Sequence, residues 1–308
     1  MQQLADSTPI LADPDMLRRR LAADGYLFLR GLLPVPAVRA AFSGVIAPLA
    51  GGGWTDRSGH PAGPGPYPAV DVRAALADPA FRAAMVSRGL NRLPYLRPLR
   101  DLARSILGAP AFSYPVKVLR TVYPERPRAV TRGRYIHQDY ANSGVQDMLT
   151  TWLPLMEIPA QLGGLAVLPG SQLGPPLRPR LLRADERGWA TTHYRPGDVL
   201  LFHCMTAHAA LPNHGDLLRI STDCRWQRPD QPAPADMVLG PARDWRGRPV
   251  ELYSRLLRGE RWWEPVPAGL DLRPREELAL AAAPPAPSRL FEVHRAWRRW
   301  RPPGGEFR

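Results

Sequence analysis

The chain has 308 residues, 44% of them hydrophobic and 22% charged, which is enough to bury a full core and too apolar for a disordered or fibrous protein. Two cysteines exclude a disulfide framework, and no apolar run approaches the roughly 20 residues that span a bilayer. The formal charge of +13 rests on arginine, since Lys117 is the single lysine, and its clusters stand apart from the motifs below, so compositional drift explains it better than a nucleic-acid surface.

In chain order, Met1 to Asp6 lacks the basic-then-apolar pattern of a secretory leader, and a soluble, cytoplasmic protein without a membrane partner is expected. Asp13-Pro14-Asp15 opens a helix expected to run to about Ala23, with Gly25 as its stop, and Tyr26 to Leu29 reads as a strand. A second helix is expected from Pro36 to about Leu49, ended by Gly51-Gly52-Gly53. Pro61 to Pro68 reads as a loop, helices follow around Asp78 to Arg88 and Tyr95 to Leu107, and Val116 to Val122 reads as a strand. Then come short β-rich runs broken by Gly or Pro: Met148 to Leu155, Gly163 to Ser171, Arg195 to His203 and Leu217 to Ser221. That spacing suits a jelly roll. The expected fold is an all-β core, a double-stranded β-helix, with N-terminal helices buttressing the barrel. It forms one domain over residues 1–230, with the jelly roll at about 110–230. Residues 231–308 read as a Pro- and Trp-rich extension packing on the core. It has a helix within Tyr253 to Trp263, an extended linker at Ala283 to Pro287 and a poorly ordered tail from 297. Cys204 and Cys224 fall in strands expected to be adjacent and read as free core thiols.

The chemistry centres on His137-Gln138-Asp139. On a β-strand, residues two apart share a face, so His137 and Asp139 can offer an imidazole and a carboxylate to one ion. A second histidine would complete two histidines and one carboxylate on one side of a metal, the pattern of non-haem Fe(II) centres whose remaining positions stay open. His203, His208 and His214 compete for that place. His203 and His208, five residues apart, would face opposite sides of one continuous strand, and His214 after Asn213 reads as a turn residue. His60, His193 and His294 have no partner pattern. Eleven residues beyond His208, Arg219 in the apolar run Leu217-Leu218-Arg219-Ile220-Ser221 calls for a buried anion. Its planar guanidinium makes two parallel hydrogen bonds to a carboxylate and keeps its charge. Ser221 shares its strand face, and one of Thr150 and Thr151 points inward by alternation. Lys117 and Arg120 lie on a strand that runs beside the site or faces solvent. Arg134, Tyr135, Tyr140 and Trp152 flank the metal motif as candidates for a mostly apolar substrate pocket, with Arg134 suited to a substrate anion. Trp262 and Trp263 read as packing residues that can also border such a pocket.

These elements, in the order His137-Gln138-Asp139, Gly163-Gly164-Leu165-Ala166-Val167-Leu168-Pro169-Gly170-Ser171, Phe202-His203 and His208-Ala209-Ala210-Leu211-Pro212-Asn213, resemble the phytanoyl-CoA dioxygenase family of Fe(II)/2-oxoglutarate oxygenases. The resemblance covers roughly residues 15 to 230. It implies His208 as the third ligand, because the family's ligand follows a Phe-His pair by five residues. It further implies Fe(II), 2-oxoglutarate and O2 as cofactors, with Arg219, Ser221 and, more weakly, Thr150 and Thr151 as cosubstrate contacts. The implied activity is hydroxylation or desaturation of a small molecule, in bacterial natural-product biosynthesis. Asp139 argues against halogenation, since related halogenases have Gly or Ala at that position. One alternative is an oxidative demethylase of nucleobases, because Arg219 and Arg225 match the paired-arginine spacing of alkylation-repair dioxygenases and the chain is basic. No base-flipping loop is recognisable, and a nucleic-acid partner is not expected. In the small-molecule reading Arg225 is expected to face away from the Arg219 contact or to support it indirectly. A metal-free jelly roll that only binds a ligand is a third reading, and the oligomeric state is open.

Overall fold

The structure, a computed structural model, describes residues 1–61, 78–108, 110–115, 117–125, 135–145, 147–175, 177, 180–183, 186–238, 266–275 and 277–278. The expectations for Pro61 to Pro68 beyond Pro61, for Tyr253 to Trp263, for Ala283 to Pro287 and for the tail lie outside them. So do Arg134, Trp262, Trp263 and His294.

After β1 (Gln2–Gln3), helix α1 (Pro14–Asp24) starts where the Asp13 side chain accepts hydrogen bonds from the Asp15 and Met16 N–H groups. It stops at Gly25, whose φ of 79° is open to glycine and whose N–H closes on Leu21. Strand β2 (Tyr26–Leu29) is buried throughout. Helix α2 (Val35–Gly51) is slightly longer than expected and contains Pro48. The expected helix at 78–88 is shorter, α3 (Pro79–Met85), followed by α4 (Arg88–Arg92) and α5 (Arg97–Leu107).

The strands follow as β3 (Phe112–Ser113), β4 (Val118–Val122) and β5 (Tyr135–Ile136). After the short helix α6 (Tyr140–Ser143) come β6 (Leu149–Pro154), β7 (Leu165–Val167), β8 (Arg180–Leu181), β9 (Ala190–Thr191), β10 (Val199–His203), β11 (His208–Ala210) and β12 (Arg219–Gln227). The larger sheet runs β2-β10-β6-β12-β3, with β4 also pairing β12. Every described pairing in it is antiparallel. The smaller sheet runs β1-β9-β7-β11. Cys204 and Cys224 form no disulfide and are buried, but their strands are not adjacent as expected: β6 lies between β10 and β12, and Cys204 falls just past the end of β10.

The register sorts the large sheet into two faces. Leu27, Leu201, Leu153, Ile220, Cys224 and Trp226 belong to one set, in a single core with Leu17, Leu21, Val38, Val45, Leu99 and Ile106 of the helices. The alternate set, Phe28, Leu200, Phe202, Thr150, Trp152, Arg219, Ser221, Asp223 and Arg225, faces the smaller sheet. Ring contacts of Phe202 with His208 and of Phe28 and Trp152 with Tyr194 span that interior. This is a jelly roll with its helices packed on one outer face. The described part of the C-terminal extension adds β13 (Ala233–Pro234), α7 (Ala235–Val238) and β14 (Leu272–Arg273). Among the described residues no helix is long and apolar enough to cross a membrane.

Candidate metal centre

His137 and His208 are brought together by backbone pairing. The His137 N–H donates to the His208 carbonyl at 3.1 Å and the His208 N–H returns the bond at 3.0 Å, an isolated bridge that places the two rings 4.2 Å apart. Each Nδ1 faces a backbone carbonyl, Tyr135 O at 3.1 Å and Thr206 O at 3.0 Å. A carbonyl can only accept, so each Nδ1 carries the proton and each Nε2 keeps its lone pair for a metal. Burial, with His137 alongside, pushes the His208 imidazole down to about 4, so it is neutral at pH 7.

Asp139 arrives differently from the sequence expectation. The strand ends at Ile136 and Asp139 takes helical dihedrals (φ −61°, ψ −26°) at the start of α6, so strand alternation is not what aligns it with His137. The corner between them is pinned by Gln138, a buried side chain whose amide donates to Met205 O at 2.6 Å and whose oxygen accepts from Leu177 N at 2.8 Å. The Asp139 carboxylate makes no helix cap. Thr150 Oγ1 donates to its Oδ2 at 2.5 Å, and Arg225 Nη2 lies 3.2 Å from its Oδ1. Burial alone would raise this carboxyl, but Arg225, the two histidines and the Thr150 hydroxyl outweigh it and hold the group well below the usual carboxylate range. The ligand atoms of His137, Asp139 and His208 all lie within 4.8 Å of one another. Two imidazoles that present Nε2 and one ionised carboxylate around one point, with their orientation fixed by neighbours, fit a first-row divalent ion with open positions.

Farther along the same face, Arg219 Nη1 donates to the carbonyls of Gly163, Gly164 (3.3 Å) and Leu211 (3.1 Å). This tie between the sheets explains the Gly-Gly pair. A Cβ on Gly163, at φ 61°, would overlap the Pro212 carbonyl, and one on Gly164 would overlap the Tyr194 ring. Burial lowers the Arg219 guanidinium to about 10, still charged at neutral pH. Its Nε and the Ser221 Oγ are buried without a hydrogen-bond partner among the described residues. A retained cation with an unspent donor beside an unspent hydroxyl fits a carboxylate ligand.

Several expected contacts move. Thr150 points inward but serves Asp139, whereas Thr151 is on the helix-facing side, where it accepts from Trp226 Nε1 at 3.2 Å, so neither threonine joins Arg219. Of the two placements expected for Arg225, facing away from Arg219 does not hold: six residues along one strand keeps both on the interior face, a position that strand alternation makes legible. Arg120 is partly exposed and paired with Asp223 at 2.7 Å, while Lys117 is buried just before β4. Tyr140 turns away into a separate cluster with Tyr114 and Met148, and Trp152 packs in the barrel edge-on to Tyr194. Tyr135 is exposed beside the metal motif. His203 is buried on the far side of β10 and accepts from Met205 N at 3.2 Å, and His214 is exposed near Glu125.

A family model described as phytanoyl-CoA dioxygenase matches residues 21–221. Among curated proteins, a 1-deoxypentalenic acid 11-beta-hydroxylase of Streptomyces exfoliatus is 28% identical over 253 residues, 74% of this chain and 86% of the relative. Its namesake from Streptomyces arenae is 28% identical over 233 residues, 68% and 78% of the respective chains. Among solved structures, the non-heme alpha ketoglutarate dependent epimerase SnoN from nogalamycin biosynthesis superposes with a TM-score of 0.51 at 20% identity, covering 85% of this chain and 93% of that one. The apoform of EctD from S. alaskensis gives 0.50 at 19% identity, covering 89% and 91%. At these identities the two structures speak for the fold.

Proposed function

The chain belongs to the phytanoyl-CoA dioxygenase family, and we propose that this Fe(II)- and 2-oxoglutarate-dependent oxygenase hydroxylates a small, largely apolar molecule at a centre held by His137, Asp139 and His208. The observation that carries the reading is the pairing of that donor set with a second, separate vacancy in the hydrogen bonding, at Arg219 Nε and Ser221 Oγ. Arg219 reaches Leu211, three residues past His208 on the same stretch of chain, which is about 10 Å of strand. A short dicarboxylate suits that interval, one end at the metal and the other at Arg219 and Ser221.

When bound, Fe(II) with 2-oxoglutarate and O2 supplies the oxidising power that places an oxygen atom into a substrate C–H bond, with succinate and CO2 as coproducts. The chain's own part is positional. Tyr135 O and Thr206 O fix both imidazoles as Nε2 donors, Thr150 and Arg225 hold the Asp139 carboxylate ionised, and Arg219 and Ser221 orient the cosubstrate. On the solvent side, Tyr135 pairs with Leu181 across β5 and β8, both are exposed, and Tyr135 is on the face of its strand that leads to His137. An apolar lip of this kind suits an apolar substrate, and the Streptomyces relatives are named as hydroxylases of a small acid, 1-deoxypentalenic acid.

Anaerobic titration with Fe(II) and then 2-oxoglutarate tests the assignment. The weak visible band of the metal-bound keto acid is expected in the parent and absent from His137→Ala and Asp139→Ala. With apolar acids as candidate substrates and O2 admitted, succinate release should rise above the substrate-free rate. A parent protein that gives no band would refute the proposal.

A further inference from the structure

Four exposed apolar side chains stand where the metal motif meets solvent, and the apolar lip described above uses only two of them. Tyr135 is 44% exposed, Leu173 60%, Leu177 36% and Leu181 46%; the other exposed large hydrophobics among the described residues, Met1, Met16 and Val35, are scattered. One strap, from Ser171 to β8, carries the three leucines, and it is tied down beside the ligands. Ser171 Oγ accepts from Ala207 N at 2.8 Å, next to His208, the Leu177 N–H donates to Gln138 between His137 and Asp139, and β8 pairs with β5. Leu182 turns inward to the cluster of Ile136 and Trp189, so Leu181 turns out by alternation. Single exposed leucines need no account, but a group of them held outward does. Arg180, Arg183 and Arg187 follow on the same stretch and are exposed, with Glu186 paired to Arg180. Over residues 171–188 the sequence holds four arginines and two acids, so the strap keeps a positive surplus.

We propose that this strap is a docking surface for an anionic lipid bilayer. The leucines and Tyr135 enter the headgroup region, the arginines meet lipid phosphates, and a lipid-dissolved apolar substrate reaches the lip without crossing water. Apolar side chains followed by arginines are the chemistry of an interfacial contact. A second copy of the chain is disfavoured, because two like-charged patches would face each other. An acidic protein would satisfy the arginines, but it would also cap the lip through which substrate has to pass. A fluid leaflet covers the leucines and itself dissolves an apolar acid. The sequence expectation of no membrane partner is drawn from leaders and spanning runs, and a peripheral contact needs neither. Substrate delivery rests on the oxygenase reading above; attachment to lipid does not.

Cosedimentation of the full chain with vesicles is the test, using phosphatidylcholine alone or mixed with phosphatidylglycerol. The parent is expected on the mixed vesicles and not on phosphatidylcholine alone, with binding that weakens as salt rises. Leu173→Asp combined with Leu177→Asp is expected to weaken binding about tenfold or more, the effect of withholding leucine side chains from an apolar phase. Arg183→Gln and Arg187→Gln are expected to weaken it about fivefold each. All these variants should keep the visible band of Fe(II) with 2-oxoglutarate, the sign that they are folded, and Leu173→Ser carries the test should the double aspartate variant lose it. The chain's formal charge of +13 makes the leucine variants decisive. Adhesion to mixed vesicles that they leave unchanged would be the general attraction of a basic protein and would overturn the proposal, as would no adhesion at all. A parent dimer that ignores vesicles and that the leucine variants return to monomer would give the patch to a second copy and overturn it too. Vesicle binding by a parent that forms no band would leave attachment standing and remove the oxygenase reading, with delivery.

Discussion

At the residue scale, neighbouring side chains of the same type have separate duties, and paired substitutions expose them. His203 and His208 lie five residues apart, yet only His208 has its Nε2 turned toward Asp139, at 3.9 Å. His208→Ala is expected to abolish Fe(II) binding with the melting temperature nearly kept. His203→Ala should bind Fe(II) normally and lose about 1–3 kcal/mol of stability, because Met205 N–H is left buried without its acceptor. Metal loss in His203→Ala instead would mean the wrong histidine had been chosen. Sequence alone could not separate them, since both read as strand histidines, and the family resemblance made the choice. Lys117 gives a pH-dependent case. Burial pushes its ammonium down to about 8, although Nζ donates to Tyr114 O and stands 5.0 Å over the Tyr95 ring. Between pH 8 and roughly 10.4, the ordinary lysine value, the unfolded chain binds more protons than the folded one, so stability rises with pH through that window. Below it the burial cost is fully present, about 3 kcal/mol for a depression of this size. Lys117→Met should therefore melt higher than the parent at pH 7, with the advantage shrinking toward pH 10; a pH-independent difference would contradict the assignment.

At the element scale, β12 organises the centre. Its nine residues pair with β6 on one side and with β4 and β3 on the other, and its interior set alternates Arg219, Ser221, Asp223 and Arg225. That much was written in the sequence as a period of two. What was not legible is the route of His137 to Asp139, because a His-x-Asp tripeptide in a short strand and one that breaks into a helical turn look the same. The difference comes from Gln138, whose side chain is spent on Met205 and Leu177, contacts with no local signature. The Gly163-Gly164 pair was legible only as a motif, and its reason is the close approach of Pro212 and Tyr194 to a backbone that also feeds carbonyls to Arg219. Gly163→Ala is expected to cost several kcal/mol, since φ 61° is strained for alanine and the added Cβ meets rigid backbone. It should weaken 2-oxoglutarate more than Fe(II), because the displaced carbonyls hold Arg219 and not the metal ligands. Equal weakening of both would show that the two ends of the site are not separately built.

At the scale of the whole molecule, the C-terminal extension emerges as a support for the metal ligand. Residues beyond 230 were expected to pack on the core, and the described part packs at one place in particular. Ala233, Val238 and Leu278 share a hydrophobic cluster with Tyr114, Tyr140, Val145, Met148 and Cys204, with Leu270 and Leu272 against it. Tyr140 opens the short helix whose preceding residue is Asp139, and that four-residue helix is too brief to hold its own position. Its stability has to come from packing. The sequence hid this because Pro-rich chain without periodicity offers no pattern to align with a partner, and because Tyr140, beside a metal motif, reads as a pocket residue when it is a packing residue. A chain truncated after Val238, which removes Leu270, Leu272 and Leu278, should therefore keep the helix-backed sheet and yet loosen the Asp139 turn. Expected are a lower melting temperature and a weaker Fe(II) affinity, with Leu278→Ala showing the same direction at about 2–4 kcal/mol, the usual cost of such a truncation in a core. The Arg219 end lies outside that cluster, so 2-oxoglutarate and pyruvate, which lacks the distal carboxylate, should lose affinity by the same factor in the truncated, Fe(II)-saturated protein. Fe(II) binding as tight as in the full chain would show that the turn stands without the extension.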